Sequence, residues 1–238
     1  MSTLVTSLGD DVNRECPILE SLLGRRLSGL ILAPISDNHA WLQRWAADTP
    51  LVFVDRGPVG LTADSFTEDD HDGALQATEH LIQHGHRRIA FIGDMIRIPT
   101  ENQRLNGYRA ALEAAGLPFV PELVEVDASD RVSTEAVVSK LWRLPQRPTA
   151  IFSANARCTM HLIPALRERQ AAVVGYGDFP MADVLHPALT VIDQSPSALG
   201  ALAARRVIDR LQHPTRRLRR HTVLPVTLIE RASCAPLG

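Results

Sequence analysis

His80-Leu-Ile-Gln-His-Gly-His-Arg-Arg-Ile-Ala-Phe-Ile-Gly93, followed by Arg104-Leu-Asn-Gly-Tyr-Arg-Ala-Ala-Leu112, reads as one α/β unit. Gly85 stops a helix, a short turn leads into the apolar strand 89–92, and a second helix opens with Arg104 in its first turn. A basic group therefore stands beside the carboxyl end of a strand, where open α/β sheets collect their ligands.

The same alternation extends along the chain in both directions. Short apolar runs at 30–33, 51–54, 89–92, 123–126, 150–152, 172–176 and 189–192 are separated by helix-length amphipathic stretches. This pattern predicts an α/β fold whose parallel sheets are covered on both faces. Within 73–84 and 105–115, apolar residues recur at three- and four-residue spacing, and Gly85 and Gly116 supply the stops. A third helix over 195–211 starts at Ser195-Pro196, a capping residue followed by a proline at the first helical position. The turn-rich, acidic stretch 57–72 is expected to carry the chain from one lobe to another, with a second crossover near 192–194.

Composition narrows the function classes. At 238 residues, 45% hydrophobic and with a formal net charge of −2, the chain is globular and long enough for two small lobes. No apolar run reaches the roughly 18–20 residues needed to cross a bilayer, and no signal-peptide pattern is present, so a cytoplasmic location is expected. Cys16, Cys158 and Cys234 form no CxxC pair, which argues against a disulfide framework or a thiolate metal site. Nor is the chain basic enough overall to attract nucleic acid as a whole.

Several segments taken in order resemble the effector-binding domain of the lactose/galactose repressor (LacI/GalR) family, which shares its fold with periplasmic sugar-binding proteins. They are Arg26-Leu-Ser-Gly-Leu-Ile-Leu-Ala-Pro34, Leu51-Val-Phe-Val-Asp-Arg56, the opening stretch, His186-Pro-Ala-Leu-Thr-Val-Ile-Asp-Gln194 and Leu224-Pro-Val-Thr-Leu-Ile-Glu-Arg231. The resemblance implies two Rossmann-like lobes joined by crossovers, one formed by residues 1–69 plus 195–220 and the other by 70–194 plus 221–238. It further implies a homodimer, a sugar-like or nucleoside-like effector, and operator DNA bound only through a helix-turn-helix headpiece that these residues do not include. By the same resemblance the N-terminal lobe is incomplete, lacking its central first strand. Residues 1–8 are then expected either to fill that slot, with a strand at 4–6, or to leave the lobe poorly stable. No cofactor is implied. An exported solute-binding protein of the same fold is the alternative.

The resemblance also marks effector-binding residues. Asp55 and Arg56 at the end of strand 51–54 match a sugar-contacting pair, and Arg104 matches a ligand-binding arginine. Asn155 and Gln194 match amides that bond hydroxyls, and Asp178 stands in the segment Gly175-Tyr-Gly-Asp178, where the usual first aspartate is replaced by Gly177. Such groups suit polyols, whose hydroxyls both donate and accept. On this view Arg104→Ala should abolish stabilisation by ligand while leaving the unliganded melt almost unchanged. For Asp55 and Arg56 the competing account is a salt-bridged turn, and for Asn155 and Gln194 it is loop and helix capping. His80, His84 and His86 invite a metal reading, because His at i and i+4 share a helix face. Without His-Glu-x-x-His they are better taken as helix-turn-strand wording, so no metal is expected. The 69–72 cluster of acids around His71 has no nucleophile elbow or phosphate loop beside it, so no enzyme is predicted. The arginines at 205, 206, 210, 216, 217, 219 and 220 read as a solvated face.

Overall fold

Two glycine stops determine how the chain enters its central strands. A computed structural model of the protein describes residues 2–9, 11–167 and 169–234. Helix α3 (Asp70–Gln83) is capped at its start by the Asp69 side chain, which accepts from the Asp72 amide. At its end Gly85 takes φ 89°, and the amides of Gly85 and His86 bond the carbonyls of Ile82 and Leu81. Helix α4 (Pro99–Ala114) closes in the same way, with Gly116 and Leu117 bonding Glu113 and Leu112. Both ends are Schellman motifs, which satisfy the last carbonyls and turn the chain sharply back. Helix α4 begins at Pro99, earlier than the sequence pattern indicated. Arg104 therefore lies in its second turn, beyond the unfavourable end of the helix dipole.

The chain divides into two units, residues 1–68 with 195–224 and residues 69–194 with 225–238. In the second unit, strands β4 (Ile89–Ile92), β5 (Val124–Glu125), β6 (Ala150–Ser153), β7 (Ala172–Tyr176), β8 (Thr190–Asp193) and β10 (Thr227–Ile229) form one sheet. Its order is β10-β8-β7-β6-β4-β5, parallel except for β10 at the edge. Strand residues alternate between two cores. Phe91, Phe152 and Val174 pack with Ala77, Leu81 and Tyr108 of α3 and α4. Ile92, Ile151 and Val173 pack with Val138 and Leu141 of α5 (Arg131–Arg143) and Leu162 of α6 (Ala156–Ala165). Burial on both faces explains why these strands read as continuous apolar runs. This is a doubly wound sheet whose connections reverse direction between β4 and β6.

In the first unit, β1 (Leu30–Leu32), β2 (Leu51–Val54), β3 (Asp64–Glu68) and β9 (His221–Leu224) pair in parallel, in that order. Helix α1 (Val12–Leu23) places Leu19 and Leu23 against Leu32, Leu51 and Phe53. Helix α7 (Pro196–Gln212) covers Val52 and Phe66 on the opposite face with Leu199, Ala203 and Val207. Among the described residues, no helix is long and apolar enough to cross a membrane.

Several expectations are corrected here. The stretch 57–72 contains β3 and the first turn of α3 and is not a plain linker. Residues 221–224 belong to the first unit because β9 pairs with β3. Residues 2–8 form no strand, with Leu4 and Val5 exposed, so β1 is the sheet edge and no vacancy inside the sheet is filled; Met1 lies outside the described residues. Ser195 precedes α7 in a left-handed conformation and makes no side-chain capping bond.

Candidate ligand-binding site

The carboxyl ends of β4 and β6 carry a dense polar cluster. Arg104, 5% exposed, donates from Nε to Asp70 (2.7 Å) and from Nη1 to the Ala154 carbonyl just past β6 (2.7 Å). Its guanidinium lies 3.9 Å from the centroid of the Tyr176 ring, a cation–π stack at the end of β7. Burial works against its charge, and Asp70, Tyr176 and Glu101 more than restore it, so its pKa is raised. Asn155 caps α6 by accepting from the Cys158 amide and donates to Glu101 at 2.6 Å. Burial pushes the Glu101 carboxyl up despite the pull of Arg104 and Asn155. Asp94, just past β4, is buried and paired with Arg157.

Asp178 and Gln194 follow β7 and β8 in the same unit. Asp178 forms a two-pronged ion pair with Arg231 at 2.7 and 3.1 Å, and that contact comes first in holding its carboxyl below the usual range. Gly177 takes φ 85°, and a side chain there would bring its Cβ within 3.2 Å of the Gln194 Oε1. Glycine thus both permits the turn and leaves room for the amide.

Asp55 and Arg56 belong to the other unit, at the carboxyl end of β2. Asp55 has φ 66°, a left-handed conformation that aspartate tolerates better than most residues. Its carboxylate lies 3.2 Å from the Arg56 Nε, and Arg56 also donates to the Pro34 carbonyl. Near the end of β1, the buried Glu15 carboxylate accepts from the Ile35 and Ser36 amides and from the Ser36 hydroxyl. The Val59 amide donates to His39 Nδ1, so the Nε2 of that ring carries the proton and faces Glu15 at 3.5 Å. Burial raises the Glu15 carboxyl, but His39, Ser36 and the two amides together hold it at about 2.

A family profile described as periplasmic binding protein-like domain matches residues 78–234. The chain is 32% identical to the ribose operon repressor of Escherichia coli K12 over 226 residues, 90% of this chain and 67% of that protein. The chain belongs to the LacI/GalR family. Two solved structures are similar to it. A crystal structure from Burkholderia thailandensis assigned to the ribose operon repressors is 27% identical with a TM-score of 0.82, covering 95% of this chain and 86% of that one. The complex of the transcriptional regulator CelR with cellobiose is 29% identical with a TM-score of 0.79, covering 93% and 70%. This LacI/GalR chain thus spans about two thirds of the length of its curated relative.

Within the LacI/GalR chain, the family resemblance pointed to Arg104 and Asn155, and Asn155 also stands just past a strand. Sequence reasoning missed their partners Asp70 and Glu101 as site members, and it missed Glu15. Glu101 sits in the first turn of α4, where a carboxylate ordinarily reads as a favourable surface charge. Only the fold turns it inward. Arg104, Asn155, Asp70 and Glu101 come together in one cluster, Asp178 and Gln194 lie at neighbouring strand ends, and Asp55 and Arg56 stand in the other unit.

Proposed function

We propose that this chain is the effector-sensing and dimerising portion of a LacI-type transcriptional regulator, and that its effector is a small carbohydrate or nucleoside-like molecule. The observation that carries the reading is the Arg104–Asp70–Glu101–Asn155 cluster at the reversal point of the doubly wound sheet, where this fold class takes its ligands. Asn155, Asp178 and Gln194 contact the effector's hydroxyls, and Arg104 holds the surrounding carboxylates in place beneath them. A ribose operon repressor and a cellobiose-bound regulator among the relatives support a sugar. The chain performs no catalysis. It works by population shift, the effector biasing the protein toward whichever conformation binds it more tightly. Operator contact is assigned to a headpiece outside these 238 residues.

The test is thermal unfolding against a panel of pentoses, hexoses, disaccharides and nucleosides, with sedimentation velocity for the oligomeric state. One class should raise the melting temperature saturably, as expected when ligand binds only the folded state, and the protein should sediment as a dimer. Indifference to the whole panel would refute effector sensing, and a monomer at all concentrations would refute dimerisation.

A further inference from the structure

The end of α3 carries a second group of converging side chains that the effector site does not use. His80 lies in the last turn of the helix and His84 at its C-cap, and the chain returns after β10 to place Glu230 beside them. A ring nitrogen from each histidine and a Glu230 carboxylate oxygen all lie within 4.8 Å of one another. The two rings stand 4.3 Å apart between centroids. His80 is 5% exposed, and its Nε2 has no hydrogen-bond partner among the described residues, a costly condition for a buried polar atom. The His84 Nδ1 lies 2.9 Å from the His80 carbonyl oxygen. A carbonyl can only accept, so Nδ1 bears the proton and the Nε2 lone pair of His84 is available. A ring nitrogen tied to a backbone carbonyl while the other faces the ion is how ligating histidines are commonly oriented.

We propose that His80, His84 and Glu230 bind a divalent transition-metal ion of the zinc type, tying the end of α3 to the segment that follows β10. Two imidazoles and a carboxylate form a mixed nitrogen and oxygen set that suits zinc, with water completing the tetrahedron. Zinc bonds of about 2.0–2.2 Å place ligand atoms roughly 3.3 Å apart, so the three must close by up to about 1.5 Å. Glu230 is exposed and His84 partly so, which leaves both free to make that movement around the fixed His80. The carbonyl end of the α3 dipole adds a negative potential that favours a cation. The sequence could not show this group, because the i, i+4 histidine pair acquires its carboxylate from the far end of the chain.

The test is a Zn2+ titration of the full 238-residue chain in competition with a chromophoric chelator, with Co2+ as a spectroscopic probe. The wild type should take up a single tight equivalent, show the intense ligand-field bands of four-coordinate Co2+, and melt at a higher temperature with Zn2+ than without. His84→Ala and Glu230→Gln should each weaken Zn2+ binding on the order of 10- to 100-fold or more. Because neither side chain is buried, both variants should keep the metal-free melt of the wild type. Absence of saturable binding at micromolar Zn2+, or wild-type affinity in either variant, would overturn the assignment.

Discussion

At the scale of single residues, charge burial decides what each polar group can do. Arg104 is 5% exposed and compensates Asp70 and Glu101, so it supports the unliganded fold as well as the effector site. This reverses the expectation that its removal would leave the unliganded melt unchanged. Breaking a buried pair from one side costs about 3–5 kcal/mol, because the remaining charge is stranded. Arg104→Ala should therefore lower the melting temperature on the order of 10 °C without any ligand. In the double variant with Asp70→Asn, part of that loss should return; an unchanged melt in the single variant would show that the pair contributes nothing. Glu15 makes a separate prediction about pH. Its carboxyl is held at about 2, below its ordinary value of 4.5, so the stability it contributes is present above pH 4.5 and is lost as pH falls toward 2. The contribution is on the order of 3 kcal/mol. Glu15→Gln should flatten the acid limb of a melting-temperature profile, and an acid limb identical to that of the wild type would place the titrating group elsewhere.

At the scale of elements, the close approach of α3 and α4 is built on glycine. A Cβ on Gly107 would lie 2.2 Å from the His71 carbonyl and 2.9 Å from the Ala74 side chain. Gly107→Ala must therefore push the two helices apart, at a cost of at least about 1–3 kcal/mol, read as an equivalent fall in denaturant unfolding free energy. Retention of full stability would mean the helices are not so tightly apposed. Elements buried on both faces were the most legible in the sequence. Strands β2, β4 and β7 coincide with the apolar runs 51–54, 89–92 and 172–176. Strand β3 was hidden because it begins and ends on acids, Asp64 and Glu68. Asp64 is tolerated inside only because Arg206 and Arg210 of α7 reach it, at 2.9 and 2.7 Å. That compensation comes from a distant segment, and it gives two of the arginines read as a solvated face a structural task. Strand β9 was masked in the same way by the basic run before it, and its burial alternates as expected for a strand covered on one side.

At the scale of the whole molecule, the chain passes between its two units after Glu68, after Gln194 and after Leu224. The acidic turn signals and the Ser195-Pro196 helix start made the first two passages visible in sequence. The third lies between two short strands, β9 and β10, that no local pattern announced. The candidate site was half legible for a related reason. Arg104, Asn155, Asp178 and Gln194 were marked by the family resemblance, with periodicity giving only the strands near them, whereas Asp70 and Glu101 become site members only when α3 and α4 pack on the same sheet face. The central claim is that this unit senses a small polyol through groups at the carboxyl ends of β6, β7 and β8. The most direct test is calorimetric titration of ribose and cellobiose, together with any sugar found by thermal shift, into the wild type and into Asn155→Ala and Gln194→Ala. The account predicts saturable binding by at least one sugar, weakened about tenfold or more in each variant, as when a buried hydrogen bond to a ligand hydroxyl is lost. Binding of equal strength in both variants, or no binding by any sugar in the wild type, would contradict it.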